Sequence, residues 1–221
     1  MDAILPAAGQ ASRMRGIPKF LLPCNEDYLT LIEVHIANLL RYSETVWVPT
    51  RPENVQLLTS IGISQERVVV MPMTTPTMTE TVLRILSISS AKFFQLVMPD
   101  TFFAGELPYE RLSRQPVCAD VACWPIRQGQ RGKLGQLRIS KEGRVLEMQD
   151  KDPLCTFPQA WGALSFSREL IPYMRSSDPH IGYALASAVV DGAPITAFVV
   201  NGRYYDCGTA AEYLEMLTQA L

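Results

Sequence analysis

Arg13, Arg15 and Lys19 fall close together in a stretch otherwise rich in small residues, among them Gly9, Ala11, Ser12 and Gly16. An arginine fork holds a pair of anionic oxygens, and a lysine serves as a mobile point charge. Small residues let backbone N–H groups come close to a ligand, and such groups suit phosphate oxygens. The combination predicts a loop that binds a nucleoside triphosphate. It is neither G-x-G-x-x-G, since Ala11 takes the place of a glycine, nor a P-loop, since no G-K-[ST] occurs. Asp100 directly follows the apolar run that ends in Met98-Pro99, and Asp206 stands in Tyr205-Asp206-Cys207-Gly208-Thr209. Each alone could be a turn or helix cap. Together, at two strand ends, they could complete a site for Mg²⁺, which uses hard oxygen ligands and few protein carboxylates.

Lys151, in Gln149-Asp150-Lys151-Asp152-Pro153, reads either as part of a charged turn or as a substrate-binding cation. Its neighbours Asp150 and Asp152 read as solvated turn residues. The two histidines, His35 and His180, are far apart in sequence, and Ser12 has no visible base partner. Neither histidine-based catalysis nor a serine nucleophile is therefore expected.

These side chains need rigid elements to hold them. Residues 2–8 are apolar and short, as in a buried parallel strand. An irregular loop covers 9–29. Apolar residues then recur at helical spacing over 30–40, with Thr30 as N-cap. Strands are expected at 46–48, 67–71 and 94–98. Helices are expected from Pro52 to about 61, ended by Gly62, and from Thr79 to Ser89. This strand–helix alternation predicts a parallel sheet with helices on both faces and ligands at the carboxyl ends of the strands.

Beyond Asp100 the pattern becomes mixed. Strands are expected at 117–124 and 161–166, and a hairpin at 135–139 and 144–148. Helices follow at about 168–175 and 180–191, then short strands at 195–200 and 203–205, and a final helix from Thr209 to about 219. The reading is one domain over 1–221, with a nucleotide-binding half at about 1–115 and an acceptor-binding half at about 116–221.

The 221 residues are 48% hydrophobic and 19% charged, enough for a packed core. A net charge of −2 argues against bulk nucleic-acid binding but leaves room for a few local cations facing a small phosphorylated substrate. No signal peptide and no membrane span are read. The five cysteines are scattered and form no C-x-x-C pair, which suggests reduced thiols and a cytoplasmic location. Cys118 and Cys123 would point to opposite faces of a strand, so a zinc site is not expected there.

Taken together, these segments resemble the sugar-1-phosphate nucleotidyltransferases, or nucleoside-diphosphate-sugar pyrophosphorylases. The opening signature of that family, roughly L-A-A-G-x-G-[ST]-R-M/L followed by P-K-x-L-L-P, looks like Leu5-Pro6-Ala7-Ala8-Gly9-Gln10-Ala11-Ser12-Arg13-Met14 and Pro18-Lys19-Phe20-Leu21-Leu22-Pro23. Pro99-Asp100 looks like its G-D, Leu134-Gly135-Gln136-Leu137 like its Y/F-G-x-[VL], and Asp150-Lys151-Asp152-Pro153 like its E-K-P. Trp161-Gly162-Ala163 and Tyr204 to Tyr213 match its later motifs, so the likeness spans the chain. Ala11 and Pro99 stand where the family has glycine. The base-reading segment falls on Thr77 to Thr81, which leaves the base open.

The resemblance implies a three-layer Rossmann-like nucleotidyltransferase fold, α/β, with a mixed, mostly parallel central sheet and a small sugar-side β subdomain. It implies a nucleoside triphosphate and a sugar 1-phosphate as partners, with Mg²⁺, giving a nucleotide-sugar and pyrophosphate. Arg13 and Lys19 would be catalytic. Ala8, Gly9, Gln10, Ala11, Ser12 and Thr79 would bind the nucleotide. Lys151, Gly135 and Gly162 would bind the sugar phosphate, with Gly162 leaving room for the sugar. Asp100 and Asp206 would hold the metal. A homo-oligomer is compatible with this reading; nucleic-acid and membrane partners are not expected. Within the same class stands a cytidylyltransferase for a phosphorylated alcohol such as phosphocholine. Outside it stand a catalytically weak nucleotide- or sugar-phosphate-binding regulator and, fitting the loop poorly, a nicotinamide-dependent oxidoreductase.

Overall fold

The computed structural model describes residues 1–9, 16–63 and 66–219. The strands are β1 (Asp2–Ile4), β2 (Thr45–Thr50), β3 (Val68–Pro72), β4 (Phe93–Val97), β5 (Thr101–Gly105), β6 (Ala119–Pro125), β7 (Gln136–Ile139), β8 (Val145–Gln149), β9 (Gln159–Ser167), β10 (Ile195–Val199) and β11 (Gly202–Asp206). The α-helices are α1 (Leu31–Leu39), α2 (Val55–Ser60), α3 (Met78–Ile88), α4 (Tyr109–Leu112), α5 (Ile181–Val190) and α6 (Ala210–Gln219). The main sheet runs β10-β6-β9-β4-β1-β2-β3. β9 is antiparallel to both β4 and β6, whereas β1–β2, β1–β4, β2–β3 and β6–β10 are parallel. The β7–β8 hairpin joins at β9. The expected mixed, mostly parallel sheet is what the chain forms.

Alternation along each strand explains the layers. Ala3, Leu5, Val46 and Val48 face one side and pack with Ile32, Ile36 and Leu39 of α1, Leu58 of α2, and Tyr109 and Leu112 of α4. Ile4, Phe94, Leu96, Leu164 and Phe166 face the other and pack with Val82, Ile85 and Leu86 of α3 and Ile181, Ala184 and Leu185 of α5. The central strands are buried on both faces and therefore read as continuous apolar runs.

Several local expectations hold. Thr30 and Glu33 form a reciprocal capping box at the start of α1. The first strand is shorter than 2–8, but Leu5 and Ala7 still donate backbone hydrogen bonds to Trp47 and Pro49 at 2.9 Å. Other expectations need correction. The segment 168–175 is a 3-10 helix, Arg168–Tyr173, with Pro172 inside it. Pro172 has no N–H to donate, which disfavours a regular α-helix there. The segment 203–205 belongs to β11, which leaves the main sheet and pairs antiparallel with β5, a strand not foreseen. α3 starts at Met78, one residue before the expected Thr79, and Thr77 caps it by accepting from the N–H of Glu80 at 3.0 Å. No helix among the described residues is long and apolar enough to cross a membrane.

Candidate active site

The carboxyl ends of β1, β3 and β4 open into a cleft of about 520 Å³. It is lined by Ala8 and Gly9 after β1, by Thr75, Thr77, Met78 and Thr81, and by Lys133, Gly135, Asp150, Lys151, Trp161 and His180. Asp100, Asp206 and Gly162 also line it.

Lys19 begins a 3-10 turn, Lys19–Leu21. Phe20 anchors that turn in the α1-side core, and the Leu22 carbonyl accepts from the N–H of Leu31 at 3.0 Å. So held, the Lys19 ammonium lies 3.2 Å from Asp100 Oδ2, with its side chain 12% exposed. Asp100 lies in the turn between β4 and β5. Asp206 closes β11, opposite Thr101, and the Cys207 N–H donates to the Asp100 carbonyl at 3.0 Å. One strand pairing thus brings two carboxylates from distant segments to the same end of the cleft. The Gly208 N–H donates to Asp206 Oδ1 at 3.0 Å and fixes that side chain. Behind them, burial and then Asp206 push the Glu212 carboxyl up to about 7, against the opposing pull of Lys133 and Arg127. Burial likewise raises the Cys207 thiol, with Asp100 and Asp206 adding to the effect.

On the acceptor side, Lys151 adopts a left-handed backbone, φ 55°, and its Nζ donates to His180 Nε2 at 2.7 Å. His180 is the N-cap residue of α5. Asp150 is the clearest correction to the sequence reading. It is not a solvated turn residue: its Oδ2 is buried with no hydrogen-bond partner among the described residues, and Oδ1 accepts only a 3.4 Å bond from Trp161 Nε1. Burial raises its carboxyl above the usual range, opposed by Lys151 and by the Trp161 bond. Glycines make this position available. A Cβ on Gly135 would lie 2.0 Å from Trp161 Nε1 and 2.4 Å from Asp150 Oδ1, and one on Gly182 2.3 Å from the same oxygen.

The remaining expected residues sort as follows. Ala8, Gly9, Gly135, Lys151, Gly162, Asp100 and Asp206 come together in the cleft. In the direction of a Cβ, Gly162 is packed against the Tyr204 ring, which such an atom would meet at 2.3 Å. Thr79 is fully buried and off the cleft wall. Thr77, Met78 and Thr81 line the cleft instead, and the Thr81 and Thr75 hydroxyls are bonded to each other. Gln10, Ala11, Ser12 and Arg13 lie outside the described residues. Lys133, Asp150, Trp161 and His180 escaped the sequence reading as site residues. Only the position of His180 before an apolar helical run was a local signal for its placement.

No curated protein matches the chain. Solved structures do resemble it. A UDP-glucose pyrophosphorylase complexed with UDP-glucose superposes with a TM-score of 0.80 at 18% identity, over 98% of this chain and 97% of that one. A UTP-bound UGPase from Acinetobacter baumannii gives 0.76 at 17%, over 98% and 92%. The inositol-1-phosphate CTP transferase from T. maritima gives 0.79 at 13%, over 99% and 95%. At these identities the likeness is one of fold, and the fold is the Rossmann-like one of nucleotidyltransferases. The MobA-like NTP transferase domain model matches residues 3–202. That match covers most of the chain, from the first strand to the start of β11, and the protein therefore belongs to the MobA-like NTP transferase family.

Proposed function

We propose that the protein transfers a nucleoside monophosphate from a nucleoside triphosphate to a sugar 1-phosphate, releasing pyrophosphate. One observation carries this reading: Asp100, which pairs with Lys19, and Lys151, which pairs with His180, line one cleft, so two cations are held through or in its wall. That is the arrangement required to bring two phosphorylated reactants together while neutralising both. An acceptor phosphate oxygen attacks the α-phosphorus, the bond to the β-phosphate oxygen breaks, and pyrophosphate leaves. No protein nucleophile is needed, so positioning and charge neutralisation supply the rate.

In this reading Lys19 contacts the α-phosphate and the attacking phosphate, and Lys151 holds the acceptor's phosphate. Ala8 and Gly9 leave the nucleotide a close approach, since a Cβ on Gly9 would meet nothing within 4 Å among the described residues. Arg13, with Gln10, Ala11 and Ser12, would add cation and backbone donors from the outer loop. Thr75, Thr77 and Thr81 face the base side. Asp150 and Trp161 form the acceptor wall.

The donor set fits Mg²⁺. Asp206, at the end of β11, and Asp100, immediately before its partner strand β5, are hard oxygen donors, and among the described residues no cluster of three or more His, Cys, Asp or Glu could hold a metal unaided. Two carboxylates completed by substrate phosphates and water are what Mg²⁺ commonly uses. When bound, the ion would supply charge neutralisation on phosphate oxygens.

The fold likeness to an inositol-1-phosphate CTP transferase favours a second reading in the same class, cytidylyl transfer to a phosphorylated alcohol. Pyrophosphate release separates these. The protein is incubated with each nucleoside triphosphate, Mg²⁺ and a panel of sugar 1-phosphates, inositol phosphate and phosphocholine. Release with a sugar 1-phosphate alone supports the first reading, and release with CTP and an alcohol phosphate supports the second. Nucleotide binding with no release from any pair overturns both in favour of a regulator.

A further inference from the structure

His35 lies on the inward face of α1 with Leu31, Ile32, Ile36 and Leu39, and is 2% exposed. A buried imidazole must satisfy both nitrogens. Nε2 is 2.8 Å from the Thr101 carbonyl and Nδ1 is 2.7 Å from the Tyr109 hydroxyl. A carbonyl can only accept, so Nε2 carries the proton. Nδ1 then accepts from the Tyr109 O–H.

The residue so held is the junction of the two carboxylates. Thr101 follows Asp100 in the chain and is registered against Asp206 across the β5–β11 pair. Its own hydroxyl donates to the Met98 carbonyl at 2.7 Å, which closes the turn around Asp100. Tyr109 is 2% exposed and packs edge-on against Phe103, two residues further along β5. The short β5–β11 pair is separate from the main sheet, so its register receives no help from the ladder of that sheet. The imidazole–phenol pair supplies an anchor from α1 and α4.

We propose that His35 and Tyr109 are positioning residues for Asp100 and Asp206, fixing the Thr101 carbonyl so that the two carboxylates present their oxygens together. This rests on the nucleotidyltransferase reading above. Outer partners of this kind commonly matter about tenfold or more to metal affinity or activity.

The test compares wild type with His35→Leu, His35→Gln and Tyr109→Phe. Gln keeps both a donor and an acceptor; Phe keeps the ring and loses only the hydroxyl. Pyrophosphate release is measured against Mg²⁺ concentration, and Mn²⁺ binding is read separately by water-proton relaxation in the presence of a non-hydrolysable triphosphate. His35→Leu should raise the half-saturating Mg²⁺ about tenfold. Tyr109→Phe should shift it the same way by less, and His35→Gln should recover most of the loss. Unchanged Mg²⁺ and Mn²⁺ dependence in the folded variants, with only a lower melting temperature, would overturn the proposal. If His35→Leu fails to fold, Tyr109→Phe decides on the same readouts. If wild type releases no pyrophosphate, the functional reading falls, and the Mn²⁺ comparison still decides the positioning role.

Discussion

Asp2 and Asp150 are carboxylates packed beside tryptophans at different places on the sheet, and they are treated differently. Asp2, at the start of β1, is 6% exposed and accepts from Trp47 Nε1 at 2.8 Å and Ser89 Oγ at 2.6 Å. Asp150, in the cleft wall, receives one long bond from Trp161 and leaves Oδ2 unsatisfied among the described residues. A buried carboxylate with two good donors ties segments together. One with too few donors weakens the fold and keeps acceptor capacity beside the cleft. The contrast teaches that the amino end of the sheet is organised for folding, and the cleft end for binding.

The largest test of that contrast is Asp100→Ala. Loss of a proposed metal ligand should lower pyrophosphate release by about a thousandfold or more, on the scale of losing a key electrostatic group. Full activity in this variant would remove Asp100 from the metal assignment. Asp2→Ala should do the reverse. It strands the buried Ser89 hydroxyl and the half-buried Trp47 N–H and should cost about 2 kcal/mol in urea unfolding, with kcat of the folded enzyme unchanged. A large fall in kcat would break the division between the two ends.

Gly162→Ala should cost about 2 kcal/mol through overpacking against Tyr204. It should also reduce turnover, because Tyr204 sits two residues before Asp206 on β11. Calorimetry with the pyrophosphate assay checks both, and a neutral result would mean that the Tyr204 ring yields easily.

The smallest effect is expected for Asp150→Asn. Its folded carboxyl titrates above its usual value of 3.8. The folded form therefore holds its proton more tightly than the unfolded chain, and stability is lost as pH rises past the unfolded value. Asn should be more stable than wild type at pH 7, and the gap should close as the pH falls below the unfolded value. Acceptor KM should rise meanwhile. A variant that is less stable at pH 7 would show that Asp150 is as well satisfied as Asp2.

Legibility followed range. The α1 capping box, the β7–β8 hairpin and the α3 segment rest on neighbours within a few residues, and their patterns were readable. β5 was missed because Thr-Phe-Phe-Ala-Gly becomes a strand only through its distant partner β11. Thr79 was misplaced because at helical spacing it shares the buried face of α3 with Val82 and Leu86. Asp150 was misread because Gly135 and Gly182, from two other segments, make room for its carboxylate.

The sequence by itself determined the alternating and helical apolar patterns, the caps and the cationic opening loop, because each depends on local spacing. Only the tertiary structure decided that Lys19 meets Asp100, that Lys151 meets His180, and that Asp206 comes beside Asp100. Those meetings depend on strand order and on the β5–β11 register, which the burial of the whole core sets and no single segment encodes.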